Sequence, residues 1–270
     1  MDDELLFELD EGVALITLNR PDAYNTMSQG MLDDLGQAYR RCDEDDDVRA
    51  VVVTGSGAAF CTGADMSAGG ETFDGAAQTG TINSCPLSTQ AWEVRKPVIA
   101  ACNGHAVGVG LGLAVQCDMR ILADEGKYGF LQSRRGVVTD FAMEYVLPRL
   151  VGFERAFELL VRAPRLSGAE AVEWGLARRS MPAAGVLDSA LRIAGEIAAD
   201  CAPLAVAMHK RLLWRGLDMD LRDLADLETR ALNHSMSLPD AVEGGMAYAE
   251  RRAPIWSGRL SSDWPGWLDD

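Results

Sequence analysis

The chain has 270 residues, a hydrophobic share of 48% and a formal charge of −16 at pH 7, which suits one large domain or one with an appendage and repels nucleic acid and acidic membrane surfaces, since both need clustered cations. Its six cysteines, at 42, 61, 85, 102, 117 and 201, form no C-x-x-C and no zinc-spaced Cys/His cluster. The acidic start MDDELLFELD lacks a signal-peptide core, and no apolar run approaches the roughly 20 residues of a membrane span, so a reduced, cytoplasmic protein is expected.

LLFEL and VALITLN predict two strands opening as a hairpin around DEG. NRPDAYNTM is a loop. Ser28 then stands as the cap of a helix with Met31, Leu32, Leu35 and Tyr39 at helical spacing. The acidic run DEDDDVR at 43–49 is a solvated loop or helix end. RAVVVTG is a buried strand leading into SGAAFCTGADM. Residues 67–85 are rich in Gly, Thr and Ala without periodicity, the mark of a loop and a candidate lid. PLSTQAWEVR is expected to be helical, PVIAACNG a strand, GVGLGLAVQC a helix start and DMRILAD a further strand. Alternating strands and helices predict an α/β class. From Asp140 onward the chain reads as helices at 140–151, 153–162, 167–175, 186–200, 203–214, 220–234 and 239–251, the last of them a packing or oligomerisation layer.

Two turns carry candidate chemistry, FCTGADM at 60–66 and NGHAVGVGLGL at 103–113. Small residues where a helix begins let backbone N–H groups approach a ligand, and the helix dipole favours negative charge there. Two such groups converging from separate turns make an oxyanion hole. Taken singly, either turn reads first as an ordinary structural glycine turn. GVGLG also invites a nicotinamide-dinucleotide reading, but its spacing is G-x-G-x-G and not G-x-G-x-x-G. Only three lysines occur, Lys96, Lys127 and Lys210, so an anionic ligand is expected to meet arginine or backbone amides. His105, His209 and His234 have no partner acid at a suggestive spacing and read as structural.

Together the two turns, with LITLNRPDAYNTM, KPVIAACNGHAVGVGLGLAVQCDMRILAD, LSGAEAVEWGLARRSMP and DAVEGGMAYAERRAPIWSGR, resemble the crotonase family of enoyl-CoA hydratases and isomerases nearly end to end. The resemblance implies a crotonase-like spiral of ββα units in residues 1–200. It implies a C-terminal helical region, 201–270, that assembles a homotrimer or homohexamer. It implies an acyl-CoA thioester as substrate and no cofactor beyond the CoA of that substrate. By position, the thioester oxygen falls to the backbone N–H groups of Ala64 and Val109, the latter standing where the family usually has glycine. CoA falls against Ala23 and the turn of Thr62, Ala64, Asp65 and Met66. Tyr248 and Arg251 match positions from which the family's C-terminal helix reaches CoA phosphates, often in a neighbouring subunit.

The chain departs from the family where a hydratase carries its two glutamates. Those positions hold Gly112 and Gln132, at the acyl pocket, and a glutamine cannot take a proton from water at neutral pH. Asp140 stands where isomerases of the family carry one catalytic glutamate, and isomerase-like proton shuttling is the expectation. Three alternatives remain: residual hydration or another addition–elimination; an Asp-nucleophile dehalogenase or hydrolase; a non-catalytic CoA-binding protein. Asp140 also precedes an apolar-periodic helix, so an N-cap role competes with catalysis. Glu71 and Asp74 in the candidate lid are the reserve acids.

Overall fold

The computed structural model describes residues 4–66, 69 and 83–269. Glu71, Asp74 and nearly all of the candidate lid lie outside them. β1 (Leu5–Asp10) and β2 (Val13–Leu18) form the expected antiparallel hairpin, in register from Leu5↔Leu18 to Asp10↔Val13. Ser28 caps α1 (Gln29–Glu44), its hydroxyl accepting from the Met31 N–H at 3.0 Å. Met31, Leu35 and Tyr39 are buried, as their spacing demands.

From β3 onward the chain repeats one move. β3 (Ala50–Gly55), β5 (Val98–Cys102) and β7 (Met119–Ala123) enter a large sheet, and each is followed by a short strand that enters a second sheet. The short strands are β4 (Ala59–Cys61), β6 (His105–Val107) and β8 (Tyr128–Gly129). The large sheet runs β1-β2-β3-β5-β7-β9, with β9 at Arg179–Met181, and the small one β4-β6-β8; every pairing except β1·β2 is parallel. This is the spiral of ββα units, with α2 (Val109–Gln116) following β6. Fully buried strands such as β3 read as continuous apolar runs because both faces are covered.

One face of the large sheet meets the small sheet, α1 and α2 over Phe60, Leu111, Tyr128 and Phe141. The other is covered by α6 (Ala183–Asp200) through Val186, Ala190 and Ala194. Between them the chain runs through α3 (Met143–Val151), α4 (Phe153–Phe157) with a π-helical continuation to Arg162, and α5 (Gly168–Glu173). α7 (Pro203–Arg215), α8 (Leu221–Met236), α9 (Pro239–Glu250) and α10 (Leu260–Asp263) follow. Leu204, Met208, Leu227, Ala231, Leu260 and Leu268 form a third apolar cluster there.

Two lysines tie these layers together. Lys96 Nζ donates to the carbonyls of Cys42, Asp43 and Asp45 at the end of α1. Lys210 Nζ, on α7, donates to the carbonyls of Ala91 and Lys96 and pairs with Asp118 at 2.7 Å.

Residues 86–95 are not the expected helix but a series of turns. Local side chains take the backbone instead: Glu93 Oε2 accepts from the Gln90 N–H at 2.7 Å, and Asp43 Oδ1 accepts from the Arg95 N–H at 2.7 Å. Pro97 further disfavours helix at Lys96.

Candidate active site

The two turns picked out in the sequence meet at one cavity. Asn25 joins the first loop to the β3–β4 turn, its Nδ2 donating to Ser56 O at 2.9 Å and to Ala59 O at 2.8 Å. The Thr62 N–H donates to Tyr24 O at 3.2 Å. Ala23 therefore lies beside the turn of Thr62, Asp65 and Met66. Met27 pairs with Ala64 in a parallel bridge, made by Met27 N–H to Gly63 O at 2.8 Å and Asp65 N–H to Met27 O at 3.3 Å. That pattern spends the groups of residues 63 and 65, so the N–H of Ala64 points the other way.

α2 begins at the second turn. Gly112 N–H donates to Gly108 O at 3.0 Å, so the helical ladder starts with Gly108 as cap and Val109 as first residue. The Val109 N–H has no partner within its own helix, as for any helix start. A Cβ at Gly110 would overlap the carbonyl oxygen of Cys61. Only glycine lets α2 seat so closely on the first turn, and that seating brings Ala64 and Val109 to the same space.

The cavity has a volume of about 700 Å³ and takes in Ala64, Gly108, Val109, Gln132 and Asp140. Met27, Leu32, Val137, Val138 and Phe141 give it apolar walls. Gly112 does not line it. A Cβ there would lie 3.0 Å from the Phe141 ring and 3.3 Å from Asp140 Oδ1, so those two residues fill the room that a side chain at 112 would need.

Asp140 is not the cap of α3. Phe141 and Ala142 both adopt left-handed backbone conformations, φ 58° and 55°, and the helix starts only at Met143. Such residues cost roughly 1–3 kcal/mol each and persist where the surroundings hold them. Here Phe141 is fully buried and its N–H donates to Ser84 O at 2.7 Å. The detour turns Asp140 towards the cavity. Its Oδ1 is buried and has no hydrogen-bond partner. Burial pushes its carboxyl up to about 6, with its own backbone N–H pulling the other way and the negative charge of Glu144 adding to the rise. Glu144 is held by the Thr139 hydroxyl, which donates to Oε1 at 2.6 Å. A carboxyl poised near neutrality beside two amide donors can remove a proton from a carbon and return it.

Residues 248 and 251 stand apart. Tyr248, on α9, is 88% exposed, and Arg251 follows the end of that helix; neither lines this cavity. Asp65 is engaged with Arg20 at 2.9 Å. Sequence reasoning missed Glu144 and Thr139, whose only signal was proximity to Asp140, and Ser84, whose role is a backbone carbonyl and has none. Two of the histidines hold structure, His105 Nδ1 accepting from the Lys127 N–H at 3.1 Å and His234 contacting Asp263 O and Trp267, while His209, on α7, lines a separate cavity between α7 and α8. No helix among the described residues is long and apolar enough to cross a membrane.

The sequence profile described as enoyl-CoA hydratase/isomerase matches residues 8–259. The enoyl-CoA hydratase ACTT3 of Alternaria alternata is 34% identical over 90% of this chain and 82% of its own. The carnitinyl-CoA dehydratase of Proteus mirabilis is 32% identical over 90% of this chain and 94% of its own. Among solved structures, a probable enoyl-CoA hydratase/isomerase from Mycobacterium abscessus superposes with a TM-score of 0.91 at 44% identity, covering 95% of this chain and 99% of that one.

Proposed function

The chain belongs to the enoyl-CoA hydratase/isomerase family of enzymes acting on CoA thioesters, and on that premise we propose that it moves a carbon–carbon double bond along an acyl-CoA, with Asp140 as the single proton carrier. The N–H groups of Ala64 and Val109 hold the thioester oxygen. Asp140 takes a proton from C2, and the C–H electrons form C1=C2 while the carbonyl pair moves onto that oxygen to give a dienolate that keeps C3=C4. The same carboxyl then delivers a proton to C4, restoring the carbonyl and leaving C2=C3. Ala23, Thr62, Ala64, Asp65 and Met66 lie against the CoA, and Tyr248 and Arg251 reach it from a neighbouring copy. No cofactor is needed beyond the CoA of the substrate.

The observation that carries this reading is the buried, unpartnered Oδ1 of Asp140 in a cavity that has no other aspartate or glutamate among its described lining residues. Gly112 and Gln132 leave hydration without its pair of acids. The test is to supply 3-enoyl-CoA and follow the product. Conjugated 2-enoyl-CoA of unchanged mass is expected, at a rate that rises with pH through about 6, where the base becomes ionised, and is level above. A product heavier by one water, or a rate that falls across that range, defeats the reading.

The same proposal extends to assembly. The division at residue 200 is supported by the separate apolar cluster of α7, α8 and α10. Leu213, Leu221, Leu232, Met236 and Val242 are exposed on α7, α8 and α9, and apolar side chains gathered on neighbouring helices seek a partner surface. A homotrimer or homohexamer is expected by light scattering at micromolar concentration; a stable monomer there contradicts it. Six unpaired cysteines accord with a reducing, cytoplasmic setting.

A further inference from the structure

The proton transfer described above employs one carboxyl and two amides, and it gives Gln132 no task. Yet Gln132 is only 8% exposed, lines the cavity, and has no hydrogen-bond partner at either Nε2 or Oε1. Buried polar side chains are paired as a rule, because an unpaired one loses its water for nothing. The position of the residue is well determined: its carbonyl accepts from Arg135 N–H at 2.8 Å and Val137 N–H at 3.2 Å. Its carboxamide lies over the cap of α2, where a Cβ on Gly108 would be 3.8 Å from Nε2 and 3.9 Å from Oε1. Gly108 immediately precedes Val109, so the carboxamide sits beside the donor assigned to the thioester oxygen. A hydrocarbon chain leaving that point would cover the carboxamide and pair neither of its atoms.

We propose that Gln132 is a specificity residue that selects acyl-CoA thioesters bearing an oxygen function, a hydroxyl or a carbonyl, within a few bonds of the thioester, in preference to hydrocarbon chains of equal length. The proposal rests on the reading of this cavity as the thioester site. A carbonyl oxygen accepts from Nε2; a hydroxyl either accepts there or donates to Oε1. Met27, Leu32, Val137 and Val138 make the walls largely apolar. Gln29, Asn83, Ser84, Arg135 and Thr139 are the other polar side chains around the cavity, besides Asp140, but for Gln132 both carboxamide atoms are buried and without a partner. Selection of this kind is strong, because the wrong substrate leaves the buried amide unpaired.

The experiment compares kcat/KM for three thioesters of one chain length, hydrocarbon, hydroxyl-bearing and oxo-bearing, in the wild type and in Gln132→Met, which keeps the length and loses the amide. The wild type is expected to favour an oxygenated member by at least about 10²-fold, and Gln132→Met to shrink that ratio by about 10-fold or more. The hydroxyl and oxo arms tell which function is read. A wild type without preference overturns the proposal. So does a Met variant that depresses all three substrates by one factor, the mark of a bound water or of a scaffolding role. Should the variant not fold, the wild type alone decides through its Kd values for saturated analogues with and without the oxygen: tighter binding of the oxygenated analogue supports the proposal, and equal binding overturns it. Equal handling of the hydrocarbon substrate defeats this inference alone, whereas failure to bind or turn over any CoA thioester defeats the reading of the site with it.

Discussion

Asp140→Asn is expected to lower double-bond migration by about 10²–10⁴, the usual cost of losing a positioned acid/base, and to abolish exchange of the substrate's C2 protons with deuterated water. It is also expected to make the protein more stable at pH 8. The carboxyl is ordinary in the unfolded chain, near 3.8, and pushed up to about 6 in the fold. Between those values the folded state holds the proton more tightly, so stability falls as pH rises through this window and stays reduced above it. The penalty is at most about 3 kcal/mol, and Asn avoids the charge that causes it. The melting-temperature advantage of the variant should therefore be present at pH 8 and shrink towards pH 4. No cap is lost, because Asp140 does not cap α3. Retained turnover with retained exchange would remove Asp140 from the mechanism, and a variant less stable at every pH would show that its carboxyl supports the fold.

Ala64→Pro is expected to reduce turnover by about 10²–10³, the loss seen when one oxyanion donor is removed. The substitution costs no ladder bond, because the Met27–Ala64 bridge uses Gly63 O and Asp65 N–H and leaves the N–H at 64 outside the ladder. Circular dichroism should match the wild type. Full activity in a variant folded by that criterion would sink the assignment of Ala64 as a thioester donor.

Much of this architecture is legible in the sequence. The β1–β2 hairpin shows as two apolar stretches around DEG, and α6 to α9 follow from apolar spacing, with ends right to within a few residues. The small sheet is not legible: β6 and β8 have three and two residues, too short for alternation to register. The start of α3 is hidden for a different reason. Asp before an apolar-periodic segment is what a cap looks like, and nothing local shows that Phe141 and Ala142, neither of them glycine, take left-handed conformations. The burial that holds them there is tertiary. The same limit hides the role of Gly112, whose importance lies in the side chain of another element that occupies its space.

The lysine placements bear on how such an enzyme survives its own substrate. A CoA thioester is an acyl donor, and an accessible deprotonated amine can attack it without catalysis. Lys96 and Lys210 are buried with their side-chain nitrogens engaged by backbone carbonyls and Asp118, which leaves no path of approach. Lys127 is exposed. Of the three lysine side chains, one is open to adventitious acylation, so among the lysines prolonged contact with reactive thioesters should mark Lys127 and leave the amines that join α1, α7 and the sheet untouched.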